Sequence, residues 1–151
     1  MFKIRYKSHH DVGNIISKFT QNLKASKNDF LDLLNTENKN KQLGIYFHTP
    51  YCDKICSFCN MNRKQLDNDL EEYTKYLCEE IKKYGAYKFC KTSEIDVVFF
   101  GGGTPTIFKK EQLERILKTL NENFKFVKDY EMTFETTLHN LSFEKLKVME
   151  E

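Results

Sequence analysis

The chain has 151 residues and a mass of 18.0 kDa, which corresponds to one domain or a piece of one. Its 24 Lys and Arg against 22 Asp and Glu give a formal net charge of +2, and this balance argues against a protein that coats nucleic acid. The mean hydropathy is −0.63, no apolar run is long enough for a membrane span, and the start Met1–Arg5 lacks the apolar core of a signal peptide. We therefore expect a soluble, cytoplasmic α/β protein or a piece of one.

Residues 1–42 are expected to form a polar, partly helical N-terminal extension. A short apolar stripe runs over residues 15–23, and residues 30–34 continue it at helical spacing. His9 and His10 also lie in this extension, where they fit a solvated pair better than a ligand pair. The polar run at residues 35–40 predicts the boundary, after which residues 43–151 form the second part of the chain.

From residue 43 onwards, the pattern of apolar residues alternates between strands and helices. The predicted elements, in chain order, are a strand at 43–48, a helix at 68–84, a strand at 95–100, a helix at 113–124, a strand at 131–136 and a helix from 141. This order is typical of parallel strands joined by crossover helices. Three such units are too few to close a barrel, so we expect the N-terminal part of a longer, truncated (β/α) barrel.

Three cysteines, Cys52, Cys56 and Cys59, lie within eight residues directly after the first predicted strand. The chain has five cysteines, so they cannot all pair within it, and a clustered triad indicates metal binding or redox chemistry. Thiolate selects zinc, Cu(I) or an iron–sulfur cluster. A structural zinc site needs four ligands, for which His48 is a candidate, although a histidine at a strand end is more often hydrogen-bonded. A cubane cluster held by three cysteines would leave one iron open to a small molecule.

Two further features stand at the ends of the second and third strands. Gly101, Gly102 and Gly103 would let backbone groups approach a ligand closely, and they also fit a flexible turn. Glu135, near the end of the third strand, could bind a ribose hydroxyl or an amino group, or be an exposed charge. Because ligands of (β/α) barrels bind at the carboxyl ends of the strands, both features lie where a ligand site is expected.

The spacing Cys-x3-Cys-x2-Cys, with Phe58 directly before the last cysteine, resembles the radical S-adenosylmethionine superfamily. The resemblance implies a [4Fe–4S] cluster on Cys52, Cys56 and Cys59, whose fourth iron chelates S-adenosylmethionine. An electron from such a cluster cleaves the sulfonium to a 5′-deoxyadenosyl radical. The glycine turn, which consists of Gly101, Gly102 and Gly103, has the position of the motif that binds the amino group of S-adenosylmethionine in this superfamily.

Together with the triad, the segments Tyr46–Cys52 and Gly101–Thr106 resemble the oxygen-independent coproporphyrinogen III oxidase-like branch, over roughly residues 43–137. The branch includes the oxidase, a related heme chaperone and heme-utilisation enzymes. The resemblance implies the N-terminal part of a partial (β/α) radical SAM barrel with about three β/α units. It also implies that the cofactor-binding residues are Tyr46, Phe58, Gly102, Gly103, Thr104 and Glu135.

The resemblance implies an oxidoreductase-like enzyme that acts on a porphyrin or heme with a low-potential electron donor such as flavodoxin or ferredoxin. The charge balance and the hydropathy predict no nucleic-acid partner and no membrane span. The 151 residues are expected to be inactive alone. Two alternatives remain: a heme-binding chaperone that keeps the cluster, and a plain iron–sulfur electron carrier, which the glycine motif disfavours.

The sequence departs from the oxidases of this branch at one position. They carry a further cysteine two residues after the third, and the corresponding residue here is Met61. A thioether cannot replace a thiolate in acid–base or radical chemistry. This departure disfavours coproporphyrinogen decarboxylation and favours the heme-utilisation or chaperone relatives.

Overall fold

The structure is a computed structural model that describes residues 25–150, and the chain divides between Leu33 and Leu34 into two units. Helix α1 spans Lys27–Leu34, as the apolar spacing of residues 30–34 predicts. Its start is capped reciprocally, because Ser26 N donates to Asp29 Oδ2 at 2.6 Å and Asp29 N donates to Ser26 Oγ at 3.2 Å. The apolar stripe at 15–23 and the histidines at 9 and 10 lie outside the described residues, and the domain boundary at residues 42–43 stays a prediction.

The strands of the second unit are β1 Gln42–Thr49, β2 Tyr51–Cys52, β3 Lys64–Gln65, β4 Glu94–Gly102 and β5 Phe126–Phe134. Three of them form a parallel sheet at the centre of the unit in the order β1-β4-β5, and β2 pairs with β3 separately. Strand β5 begins five residues earlier and ends two residues earlier than the sequence predicts. Its register passes from Ile95–Phe126 directly to Val97–Glu131, so residues 127–130, which include the charged Lys128 and Asp129, form a bulge that interrupts the strand pattern.

Helices cross over between the strands, as predicted. They are α2 Glu71–Gly85, α3 Lys88–Lys91, α4 Lys110–Asn123 and α5 Phe143–Glu150, with single 3₁₀ turns at Pro105–Ile107 and Leu138–Asn140. Helices α2 and α4 pack side by side, and Arg115 links them with two hydrogen bonds to Glu71 at 2.5 and 2.7 Å. Within residues 25–150, no helix is long and apolar enough to cross a membrane.

The two faces of the sheet differ in burial. On the helix-covered face, Phe100 is 1% exposed and stacks between Phe47 and Phe134, with ring centroids 4.5 and 4.2 Å apart. On the other face, Tyr46 is 56% exposed and Val97 is 41% exposed. Parallel sheets are normally covered on both faces, and a half-open face is expected where a sheet lines the interior of an incomplete barrel.

Replacement of Phe100 by alanine is expected to lower the free energy of unfolding by about 3–5 kcal/mol, because it leaves a cavity between two stacked rings. Phe143→Ala serves as the control, since Phe143 is 83% exposed and its loss should change stability by less than about 0.5 kcal/mol. Urea denaturation of both variants measures the difference. Equal losses in the two variants would contradict this assignment of the core.

Candidate functional site

The parallel register brings the candidate residues to one edge of the sheet. His48 lies beside Gly101, Thr49 lies beside Gly102, and Phe100 lies beside Phe134. The cysteine-containing segment, the glycine turn and Glu135 follow these three strand ends directly. Strand ends of a parallel sheet share one edge, so the three motifs predicted to form a ligand site are neighbours in the fold.

The glycine turn packs directly against the first cysteine. The backbone N–H of Gly103 donates to Thr49 O at 2.6 Å, and that of Thr104 donates to Tyr51 O at 2.9 Å. A Cβ atom on Gly103 would lie 2.5 Å from Tyr51 O and 2.9 Å from Cys52 Sγ, so only glycine fits there. The Thr104 hydroxyl donates to the buried Cys52 sulfur at 3.5 Å. Cys52 and the glycine turn therefore form one packed unit.

Glu135 holds the other side of the glycine turn. It lies one residue beyond β5, where its backbone N–H donates to Phe100 O at 2.9 Å. Its Oε2 accepts the backbone N–H of Gly102 at 3.0 Å. Gly102 has a φ of +114°, which favours glycine. A carboxylate has acceptor capacity beyond one hydrogen bond, so Glu135 is suited to receive a ligand ammonium group at this edge.

Tyr46 and His48 lie on the open face of β1 and interact with each other. The Tyr46 hydroxyl is 2.9 Å from His48 Nδ1, and His48 Nε2 is 3.3 Å from Asn62 O. The Tyr46 ring also stacks on Phe99, at 6.0 Å between centroids. Both ring nitrogens of His48 thus have hydrogen-bond partners, which disfavours His48 as the fourth ligand of a metal ion.

Tyr73 is a residue of this site that the sequence places in the apolar repeat of α2, without indicating a contact with the site. Its hydroxyl donates to His48 O at 2.6 Å, and its ring contacts those of Tyr51 and Phe108. Burial raises the pKa of Tyr73 to about 12, so the hydroxyl stays a donor at neutral pH. A tyrosine on a buried helix face needs a hydrogen-bond partner, and this requirement is the signal that could have revealed its role.

The cysteine loop, defined as residues 53–63, is fixed at its ends and exposed between them. Lys64 N donates to Pro50 O at 2.6 Å and Leu66 N donates to Cys52 O at 2.8 Å, which closes the loop at its base. Cys56 is exposed, Cys59 is half-buried, and Phe58 is 88% exposed and does not pack on the glycine turn. In the described part of the chain, no three Cys, His, Asp or Glu side chains are close enough to hold a metal ion.

The donor chemistry of the loop nevertheless fits an iron–sulfur cluster. All five cysteines are free thiols, and thiolate is the ligand that such clusters require. Residues 54–58 are exposed, so packing does not oppose a rearrangement of this part of the loop. Metal–thiolate bonds can supply folding energy that such a segment lacks. Cluster binding would require Cys56 and Cys59 to approach Cys52.

The fold is that of an α/β protein whose parallel sheet carries a cysteine loop, a glycine turn and a carboxylate at one edge, the edge at which such proteins bind ligands. The sequence profile of the Radical SAM superfamily matches residues 46–151, and the chain belongs to this superfamily. This match confirms the resemblance to the superfamily, and the similarity to the solved structure of a radical SAM enzyme confirms the predicted fold class.

Several relatives handle porphyrins or heme, according to their names. The chain is 34% identical to the heme chaperone HemW of Bacillus subtilis over 70% of its own length and 28% of the relative. It is 29% identical to the anaerobilin synthase of Escherichia coli O157:H7 over 76% of its length and 26% of the relative. The solved structure of coproporphyrinogen III oxidase (HemN) from Escherichia coli, a radical SAM enzyme, matches with a TM-score of 0.74 and 28% identity. That match covers 83% of this chain and 29% of the oxidase. The chain thus spans about a quarter of the length of these relatives.

Gly103→Ala is expected to destabilise the protein by about 1–3 kcal/mol, because the new methyl group meets the rigid Tyr51 carbonyl. It should also raise the alkylation rate of Cys52, which the glycine turn covers. Gly44→Ala is the matched control, since a Cβ there meets only Val97 O at 3.8 Å. Thermal denaturation and thiol mass spectrometry measure both effects. If Gly103→Ala behaves like Gly44→Ala, the close packing described above is wrong.

Proposed function

We propose that the chain forms the cofactor-binding part of a radical S-adenosylmethionine protein that acts on a porphyrin or heme. Cys52, Cys56 and Cys59 would hold a [4Fe–4S] cluster, and S-adenosylmethionine would bind beside it. When bound, the cluster supplies the electron that cleaves the sulfonium to a 5′-deoxyadenosyl radical. Because the chain spans about a quarter of its relatives, turnover is proposed for the whole gene product, with a flavodoxin or ferredoxin as electron donor. The cytoplasmic location stays a prediction.

The observation that carries this proposal is the packing of the glycine turn between a cysteine and a carboxylate. Gly103 touches Cys52 on one side, and Gly102 donates to Glu135 on the other. A ligand with a positive amino group and a sulfonium could therefore lie next to the thiolates with its ammonium group at Glu135. Small-molecule sites commonly combine a few convergent polar groups of this kind.

Some residues of the site would bind S-adenosylmethionine, and others would orient the groups around it. Glu135 would accept hydrogen bonds from the ammonium group of the methionyl end, while Gly102, Gly103 and Thr104 would give the ligand room to approach the backbone. Thr104, which donates to Cys52 Sγ, would orient that sulfur. Tyr46, exposed on the open face of the sheet, would lie beside the ligand, and Phe58 would have to move inwards with the loop.

A heme chaperone that keeps the cluster is the second candidate. It is favoured by the similarity to HemW and by Met61, which is exposed and lies where the oxidases of the branch have a further cysteine. A thioether cannot act as a thiolate in acid–base or radical chemistry. The same substitution disfavours coproporphyrinogen decarboxylation and is compatible with anaerobic use of heme.

Replacement of Cys52, Cys56 or Cys59 by alanine is expected to abolish cluster binding after anaerobic reconstitution. Each loss removes one of three thiolates, which leaves too few ligands for a stable cubane. Iron and sulfide content and the broad visible absorption of the protein measure the effect.

The buried cysteines of the core provide the matched controls for this experiment. Cys78→Ala and Cys90→Ala remove thiols that lie on α2 and α3, away from the loop, so both variants should keep their iron. Unchanged iron content in the Cys56→Ala protein would exclude the proposed ligand set.

The whole gene product is expected to bind or convert heme and to leave coproporphyrinogen III unchanged under anaerobic, reducing conditions with S-adenosylmethionine. The reason is the thioether of Met61 in place of a thiolate. Mass spectrometry of both tetrapyrroles and of 5′-deoxyadenosine separates an enzyme from a chaperone. Divinyl product from coproporphyrinogen, without any binding or loss of heme, would refute this choice of substrate.

A further inference from the structure

The cysteine loop is joined by its first residue to a distant part of the chain. Asp53 Oδ2 lies 2.5 Å from His139 Nε2, and Asp53 Oδ1 accepts Asn140 Nδ2 at 3.4 Å. His139 and Asn140 belong to the 3₁₀ turn after β5 and are more than 80 residues away in sequence. Both carboxyl oxygens of Asp53 thus have a partner in this turn.

The turn that receives Asp53 is itself anchored. Asn140 Nδ2 donates to Thr137 Oγ1 at 2.8 Å, and Lys145 Nζ donates to Asn140 O at 3.0 Å and to Thr106 O at 2.8 Å. Thr106 lies in the 3₁₀ turn that follows the glycine turn. A continuous set of hydrogen bonds therefore runs from the cysteine loop, through the segment after β5, to the segment after β4.

Because Asp53 lies next to Cys52, its contact with His139 and Asn140 affects the position of the cysteine loop. Asp53 follows Cys52 directly, whereas the next five residues are exposed. Through its carboxylate, Asp53 links the first half of the loop to the segment after β5, and its carbonyl oxygen accepts a hydrogen bond from Gln65 at the base of the loop at 3.5 Å. Loss of that link should let the residues around Cys52 open more often.

We propose that Asp53, His139 and Asn140 form a clasp that positions the cysteine loop for cluster binding. They are positioning residues, because they act through the backbone next to Cys52 and do not themselves serve as cluster ligands. The clasp joins the thiol-bearing loop to the strand end that carries Glu135. It would thereby hold the two halves of the cofactor site in register. This inference rests on the proposed function for its effect on the cluster, but its effect on the loop is independent of any cofactor.

The test uses Asp53→Ala, His139→Ala and the double variant, with Glu114→Ala as control. Glu114 forms an exposed ion pair with Lys110 at 3.2 Å, so its loss matches the removal of a surface contact elsewhere. In the cluster-free protein, we expect the alkylation rate of buried Cys52 to rise about two- to fivefold, the factor that one partly exposed charged contact supplies. The rate for exposed Cys56 should stay unchanged, and the urea midpoint should fall by no more than the loss of one exposed ion pair produces in Glu114→Ala.

In the reconstituted protein, the half-life of the cluster in the presence of a chelator should shorten by a similar factor. The double variant should be no worse than Asp53→Ala alone, because Asp53→Ala already removes the contacts with both His139 and Asn140. His139→Gln, which can still donate to Asp53, should restore most of the Cys52 protection. Alkylation rates equal to those of Glu114→Ala would overturn the clasp. A protein that binds no cluster, yet shows the Cys52 effect, would refute the proposed function and leave the clasp standing.

Discussion

The hydrogen-bonded register of three parallel strands is the constraint on which the rest of this structure depends. Because β1, β4 and β5 run in the same direction, their carboxyl ends meet at one edge, and the segments that follow them are forced together. A shift by one residue would carry Tyr46 to the helix-covered face and Phe47 to the open one. The stack of Phe47, Phe100 and Phe134 resists such a shift, since the shift would break the ring contacts and expose Phe47, which is 7% exposed in the observed register.

The second condition is that the backbone of the glycine turn can approach its neighbours closely. This condition explains why Gly102 and Gly103 are glycines. Gly103 allows β4 to deliver its turn against Cys52, and Gly102 adopts a left-handed conformation that presents its N–H to Glu135. One short turn therefore contacts a soft thiol donor on one side and an anionic carboxylate on the other. The turn thus brings a soft sulfur donor and a hard oxygen donor within a few residues of each other. The proposed S-adenosylmethionine site depends on this arrangement.

The sequence predicts the parts of the fold that have a local signal. Strands β1 and β4 are apolar and continuous, and their bounds agree with prediction to within two residues, whereas the bulge after Phe126 interrupts the pattern of β5. The thiol triad and the glycine turn are visible as motifs. The Tyr73 contact with His48 and the Asp53 contact with His139 join residues 25 and 86 positions apart, and only the fold brings such pairs together. Within residues 25–150, the fold does not bring Cys56 and Cys59 close enough to Cys52 to hold a metal ion, so the ligand set that the cysteine motif predicts stays a prediction.

The same reasoning explains why membership of the superfamily leaves the substrate open. Relatives named as a chaperone, a synthase and an oxidase are 28–34% identical to this chain over largely the same region. The proposed site at this edge depends on strand register, which brings the thiol loop, the glycine turn and the carboxylate together. The proposed choice of substrate depends instead on side chains that register does not dictate, such as the residue two positions after the third cysteine. Met61, which occupies that position, is exposed at the end of the cysteine loop, whereas Cys52 is buried against the glycine turn. Differences in chemistry within such a branch are therefore expected at exposed loop positions, while the strand ends that build the site stay alike.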